Sequence, residues 1–136
     1  MTPVYQTDDD VASEESTIDF LREKWGRIER MPDFSEFDYA VINDNSQVRA
    51  LIEVKNRKSE TAKYRTIMIS MTKLIAAKQW AEQGLKCFFV VRVGKGRPRM
   101  LDLNASLPER IGWGGRAGRN HDEPIAHFTK DQFTSI

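Results

Sequence analysis

One cysteine and two histidines among 136 residues are too few for a structural zinc site of the usual four-ligand kind. Cys87 cannot form an internal disulfide. Its place in the apolar run Cys87-Phe88-Phe89-Val90-Val91 predicts a buried core thiol in a reducing cytoplasm. No stretch approaches the ~18 uninterrupted apolar residues of a membrane span, and the acidic N-terminus does not read as a signal peptide. His121 and His127 belong to no constellation and receive no catalytic role. A metal, if one binds, must be held by carboxylates, which points to Mg²⁺ or Mn²⁺. An excess of one charge is also lacking, since 21 basic and 20 acidic residues give a net charge of +1.

The distribution of charge says more than its sum. Residues 1–19 carry Asp8, Asp9, Asp10, Glu14, Glu15 and Asp19 and no basic residue, whereas the middle is basic from Arg49 through Lys55, Arg57, Lys58, Lys63, Arg65, Lys73 and Lys78. A near-neutral total can thus hide a basic face suited to phosphate, or the charges can simply be dispersed over a solvated surface.

Residues 1–12 read as a flexible acidic N-terminus, and residues 13–136 as a single domain large enough for one hydrophobic core. A helix is expected from Ser13 or Ser16 to about Arg30, ended by Pro32, with Glu14, Ile18, Leu21, Trp25 and Ile28 along one face. Strands are expected at Phe37–Ile42, Val48–Lys55 and Thr66–Ser70, a second helix at Met71–Gln83 stopped by Gly84, and a doubly buried strand at Lys86–Val93. Another strand is expected near Arg99–Leu103, and a last edge strand at Ile125–Phe128. Residues 104–124, with four Gly, two Pro and three Arg, read as a long irregular loop. The order of elements predicts an α/β fold with a mixed sheet flanked by helices.

The first two strands carry the chemistry. A turn centred between Asn45 and Ser46 sets Asp38 opposite Glu53, Ala40 opposite Leu51 and Ile42 opposite Arg49. Opposed residues share a face with Cβ atoms about 4.5–5.5 Å apart. Lys55, two residues beyond Glu53, lies on that face too. Two carboxylates and an ammonium converge there if the register holds, where a divalent cation and a phosphate could sit. The plainer reading of such residues is a solvated rim with a cross-strand ion pair, worth about 0.2–1 kcal/mol.

With Asp38 and Glu53-Val54-Lys55 each on a hydrophobic strand between two helices, the sequence resembles the PD-(D/E)XK nuclease superfamily over roughly residues 14–93. The segment Tyr64–Lys73 is similar to a stretch of small phage-borne members. Phe37 stands where many members have proline, a position that varies widely among them. The resemblance implies a restriction-endonuclease-like α-β-β-β-α-β core and a Mg²⁺-dependent deoxyribonuclease acting in phage DNA processing or recombination, in the host cytoplasm. It implies Asp38, Glu53 and the Val54 carbonyl as metal ligands and Lys55 as the residue that orients water or neutralises the phosphorane. It also implies a glutamate from the first helix, for which Glu14 has the best claim, with Glu15 and Glu23 as competitors. Lys73, Arg57, Lys58, Arg116 and Arg119 are candidate contacts to DNA, the last two from the glycine-rich segment after Trp113. The alternative is a catalytically silent nuclease-fold protein that binds nucleic acid or serves in assembly. A homodimer is compatible with so small a chain, and nothing in the sequence fixes it.

Overall fold

The computed structural model describes residues 8–59, 63–114 and 122–136, with side chains from residue 12 onward. The central hairpin is set by local chemistry. Asn43 Oδ1 accepts from the backbone N–H groups of Asn45 (3.0 Å) and Gln47 (2.9 Å), an Asx-type turn that joins β2 (Tyr39–Ile42) to β3 (Val48–Arg57). Ala40 pairs with Leu51, as expected, but a bulge between Val41 and Ile42 makes Val48, not Arg49, the partner of Ile42. The irregularity is confined to the turn end, so the register holds where Asp38 enters the hairpin, and Asp38 N–H donates to Ile52 O at 3.0 Å.

Strand β3 then pairs in parallel with β5 (Lys86–Val93) over eight residues, Ala50–Arg57 against Lys86–Val93. The connection between them passes through β4 (Thr66–Ser70) and helix α2 (Met71–Glu82), as a parallel pair requires. Ser70 caps α2 by accepting from Thr72 N–H, and Gly84, at φ +84°, follows its end as expected. With β1 (Ile28–Arg30), β6 (Arg99–Asp102) and β9 (Thr134–Ser135), the main sheet runs β1-β2-β3-β5-β6-β9. A smaller sheet has the order β4-β8-β7, with β7 at Arg110–Gly114 and β8 at Glu123–Thr129.

Both faces of the main sheet are covered, which explains the unbroken apolar run Cys87–Val91 of β5. Helix α1 (Asp8–Trp25) lays Ile18 and Leu21 on one face, against Ile28, Tyr39, Ile52, Val54 and Val90. The other face puts Leu51, Phe89 and Val91 against Leu74 and Ala77 of α2 and Ile69, Ala126 and Phe128 of the small sheet. Cys87 is fully buried in this second cluster, and burial pushes its thiol up to about 12.

Five expectations are corrected. Helix α1 starts by Asp8 and stops at Trp25 rather than near Arg30, because Gly26 adopts φ +84° and its N–H closes on Arg22 O at 2.9 Å. Ile28, which continues the helical spacing, is buried from strand β1 instead. The three strands preceding α2 in the main sheet are therefore β1, β2 and β3, and Thr66–Ser70 belongs to the small sheet. Residues 110–114 form β7 within the expected loop, and β8 lies between β4 and β7 rather than at an edge. The alternation that betrays a strand is blurred in Arg110-Ile111-Gly112-Trp113-Gly114 by its two glycines. Among the described residues no helix is long and apolar enough to cross a membrane.

Candidate active site

Side chains alternate along β3, so Ile52 and Val54 enter the α1 core while Glu53 and Lys55 point to the α2 side. Glu53 is only 1% exposed, the single buried carboxylate among the described residues. Burial of such a charge requires partners, and two ammonium groups provide them. Lys73 Nζ lies 2.9 Å from Glu53 Oε1, and Lys55 Nζ lies 3.4 Å from Oε2.

Lys73 comes from the first turn of α2. Its ammonium also donates to the carbonyl of Glu36 and lies 5.9 Å from the centroid of the Phe37 ring. The segment entering β2 is thereby tied to α2 just before Asp38. The same segment is closed at its base, where Met31 N–H donates to Asp38 O at 2.8 Å.

Asp38 stands one residue ahead of β2, and its Oδ2 accepts from Val54 N–H at 3.3 Å. Burial, then the neighbouring Glu53 carboxylate, pushes the Asp38 carboxyl up to about 7, with Lys73 opposing the rise. Glu14 adds to this field from α1. Its Oε1 accepts from the buried Tyr39 hydroxyl at 2.9 Å, and burial followed by this bond pushes the phenol above its usual range. Asp38, Glu53, Lys55 and Lys73 thus form one cluster, with Glu14 acting on it from the opposite helix.

Other candidates stand apart. Arg57 is half-buried at the end of β3, with a marginal 3.5 Å contact to Met68 O, and Lys58 is exposed beyond it. Arg116 and Arg119 lie outside the described residues, while Trp113, just before them, is 74% exposed on β7. Sequence reasoning placed Lys73 on a DNA phosphate and did not foresee its ion pair with Glu53. The only signal was its position in the first turn of a helix that follows a strand. It also missed the Tyr39–Glu14 link, although Tyr39 is adjacent to Asp38 and Glu14 was singled out.

Among the described residues no group of three or more His, Cys, Asp or Glu side chains could hold a metal by itself. The donor set that is present, two adjacent carboxylates with one pushed up to about 7 by burial and by its neighbour, suits a hard divalent cation. Such a cation would relieve the repulsion between Asp38 and Glu53, and water and substrate oxygens commonly complete the shell of Mg²⁺.

The fold matches the 1.6 Å structure of Hjc, a Holliday junction resolvase from the archaeal hyperthermophile Archaeoglobus fulgidus, with a TM-score of 0.56 at 12% identity. The match covers 91% of this chain and 88% of that one, and it is a likeness of fold. No curated protein matches the sequence. A family model described as "Phage putative PDDEXK endonuclease" matches residues 1–136. The chain belongs to the phage PD-(D/E)XK endonuclease family.

Proposed function

We propose that the protein is a metal-dependent deoxyribonuclease that hydrolyses DNA phosphodiester bonds in phage DNA processing or recombination. The observation that carries this reading is the buried Glu53, held between Lys55 and Lys73 beside Asp38. Neutral surface ion pairs do not need a fully buried carboxylate next to a second one, whereas a site built to take a cation and a phosphate does.

Asp38, Glu53 and the Val54 carbonyl would hold Mg²⁺, with Mn²⁺ able to substitute. When bound, the cation supplies Lewis acidity toward the phosphate and makes water easier to deprotonate near neutral pH. Lys55, a compact charge on a flexible stem, orients the attacking water or neutralises charge that develops on the phosphorane oxygens. Lys73 holds Glu53 in place before substrate arrives. A phosphate entering the cluster offers Lys73 an alternative anionic partner, the role first read for it from the sequence. Glu14 fixes Tyr39 and tunes the charge of Asp38 through its field.

The shared fold with a Holliday junction resolvase makes a four-way DNA junction the first substrate to test, beside duplex and single-stranded DNA. Labelled substrates incubated with Mg²⁺ or Mn²⁺ should be cut by the wild type and left intact by Glu53→Gln. Failure of the wild type to cut any of them would exclude the reading.

A second reading has its own support. Both Glu53 oxygens already face ammonium groups, and no third acid completes the cluster among the described residues. A nuclease-fold protein that binds nucleic acid without cutting it is consistent with such internal neutralisation. DNA binding without metal-dependent cleavage would favour it.

A further inference from the structure

On the α1 side of the main sheet, beyond the ends of β3 and β5, lies a cavity of about 450 Å³ whose walls include Ser16 and Phe20 of α1, Arg92 of β5, and Lys95 and Arg97 of the β5–β6 turn. We propose that this cavity is a second phosphate subsite, which takes a backbone phosphate of the nucleic acid away from the scissile bond. The proposal rests on the nuclease reading and names a contact that this reading does not require.

Three cations share this wall, and the hydrogen bonds of Arg92 end on a neutral hydroxyl and a main-chain carbonyl. Arg92 Nε donates to Gly96 O at 2.9 Å and its Nη1 to Ser16 Oγ at 3.2 Å. Arg97 donates twice to the main-chain oxygen of Ile136, at 3.1 and 2.9 Å. Among the described residues no side-chain carboxylate forms a salt bridge with Arg92 or Lys95. This contrasts with Arg65, whose guanidinium is met by both oxygens of Glu109 at 2.6 Å. Arg92 is oriented by its two bonds and still carries its charge, the state a phosphate-binding arginine needs.

The location fits a nucleic-acid strand that also approaches the Lys55 end of the cluster. Arg92 pairs with Asn56 in the parallel ladder, three residues beyond Glu53. At about 3.3 Å per residue and about 4.8 Å between strands, Arg92 and Glu53 are about 11 Å apart along the sheet. Asn56 and Arg92 face α1 while Glu53 and Lys55 face α2, so this is a separation within the sheet. Lys55, two residues nearer the C-terminal end of β3 and about one-quarter exposed, is the part of the cluster that a nucleic-acid strand passing over the ends of β3 and β5 approaches. Phe20 gives the cavity an apolar wall, and Lys95 and Arg97 are exposed at its mouth.

The test is the salt dependence of DNA binding, measured without metal by fluorescence anisotropy on a duplex and a four-way junction. The double variant Lys95→Glu/Arg97→Glu leaves the Asp38–Glu53 cluster untouched. It should bind at least tenfold more weakly, and its slope of log K against log salt should be shallower by about 2. In Mg²⁺ its KM should rise while kcat at saturating DNA stays at the wild-type value. Should the double variant fold poorly, Lys95→Glu alone, on an exposed turn, should lower the slope by about 1, and Lys95→Arg should restore it.

Unchanged affinity and slope in variants of a cleaving wild type would overturn the subsite and leave the nuclease reading intact. A wild type that neither binds nor cuts DNA removes both. Titration with inorganic phosphate separates the remaining source. Saturable phosphate binding lost in the variant, with DNA affinity unchanged, would make the cavity a small-anion site and overturn its assignment to nucleic acid.

Discussion

Lys73 Nζ and Glu53 Oε1 are 2.9 Å apart, joining the first turn of α2 to the middle of β3 across twenty residues of sequence. The pair ties α2 to the segment that carries Asp38, because the same ammonium also reaches the carbonyl of Glu36, two residues before Asp38. Removing it leaves a fully buried carboxylate with Lys55 as its remaining cationic partner. Lys73→Ala is therefore expected to destabilise the fold by about 2–3 kcal/mol, below the full cost of a buried pair broken with no other partner. Denaturant unfolding of Lys73→Ala, Glu53→Gln and the double variant measures this. The double variant should lose less than the sum of the singles, and strict additivity would mean the pair contributes nothing.

Asp38 should make stability depend on pH in the direction opposite to a salt-bridged aspartate. Its carboxyl is raised from 3.8 to about 7 in the native state, so the native protein holds this proton more tightly than the unfolded chain. The resulting stabilisation is complete below about pH 4 and disappears as the pH rises through about 7. At pH 8 the wild type carries the whole cost of a buried, repelled charge, on the order of 4 kcal/mol. Asp38→Asn should accordingly be the more stable protein at pH 8 and close to the wild type at pH 4. Unfolding free energies at the two pH values decide the matter, and a gap of the same size at both would remove Asp38 as its cause.

Divalent cation binding should share that pH window. A cation held by Asp38 and Glu53 competes with the proton on Asp38, so Mn²⁺ or Mg²⁺ should raise the melting temperature more at pH 8 than at pH 5.5. At a hundredfold excess over the dissociation constant, the expected stabilisation is about 2.7 kcal/mol. Thermal unfolding of Asp38→Asn should show little response to either ion.

Lys55 should matter more to catalysis than to the fold. It lies 3.4 Å from Glu53 where Lys73 lies 2.9 Å away, so Lys55→Ala should cost less stability than Lys73→Ala. Its cleavage of a four-way junction or a duplex should fall by about 10²–10³-fold, the range for loss of one preorganised transition-state donor. Activity within twofold of the wild type would exclude Lys55 from the reaction.

Gly26 tests the early end of α1. Its φ of +84° is open to glycine and costly for other residues, and a Cβ built there meets no atom within 4 Å. Gly26→Ala should thus act through backbone strain alone and lower stability by about 1–2 kcal/mol. A change below a few tenths of a kcal/mol in the unfolding free energy would mean the helix ends for another reason.

What the sequence determined by itself was local. Alternating side chains in Val48–Lys55, the Asn43–Gln47 turn and the run Phe37–Ile42 specify a hairpin, and the hairpin brings Asp38 to the level of Glu53. The Ser70 cap, the helix-forming stretch to Glu82 and Gly84 beyond it delimit α2 in the same way. These features depend on neighbours a few residues apart, where turn geometry and propensity decide. Tertiary packing decided the rest. Ile28 continues the helical period yet lies on a strand, since Gly26 ends α1 and β2 offers an unpaired edge. Thr66–Ser70 reads as a third core strand yet pairs with β8, fifty-five residues or more along the chain. The chemistry follows the same division. The spacing Asp38, Glu53, Lys55 was legible, whereas the burial of Glu53, the rise of the Asp38 carboxyl and the hold of Lys73 arose only when α2 closed over β3. Low dielectric and charge proximity are properties of the packed interior, and no local pattern encodes them.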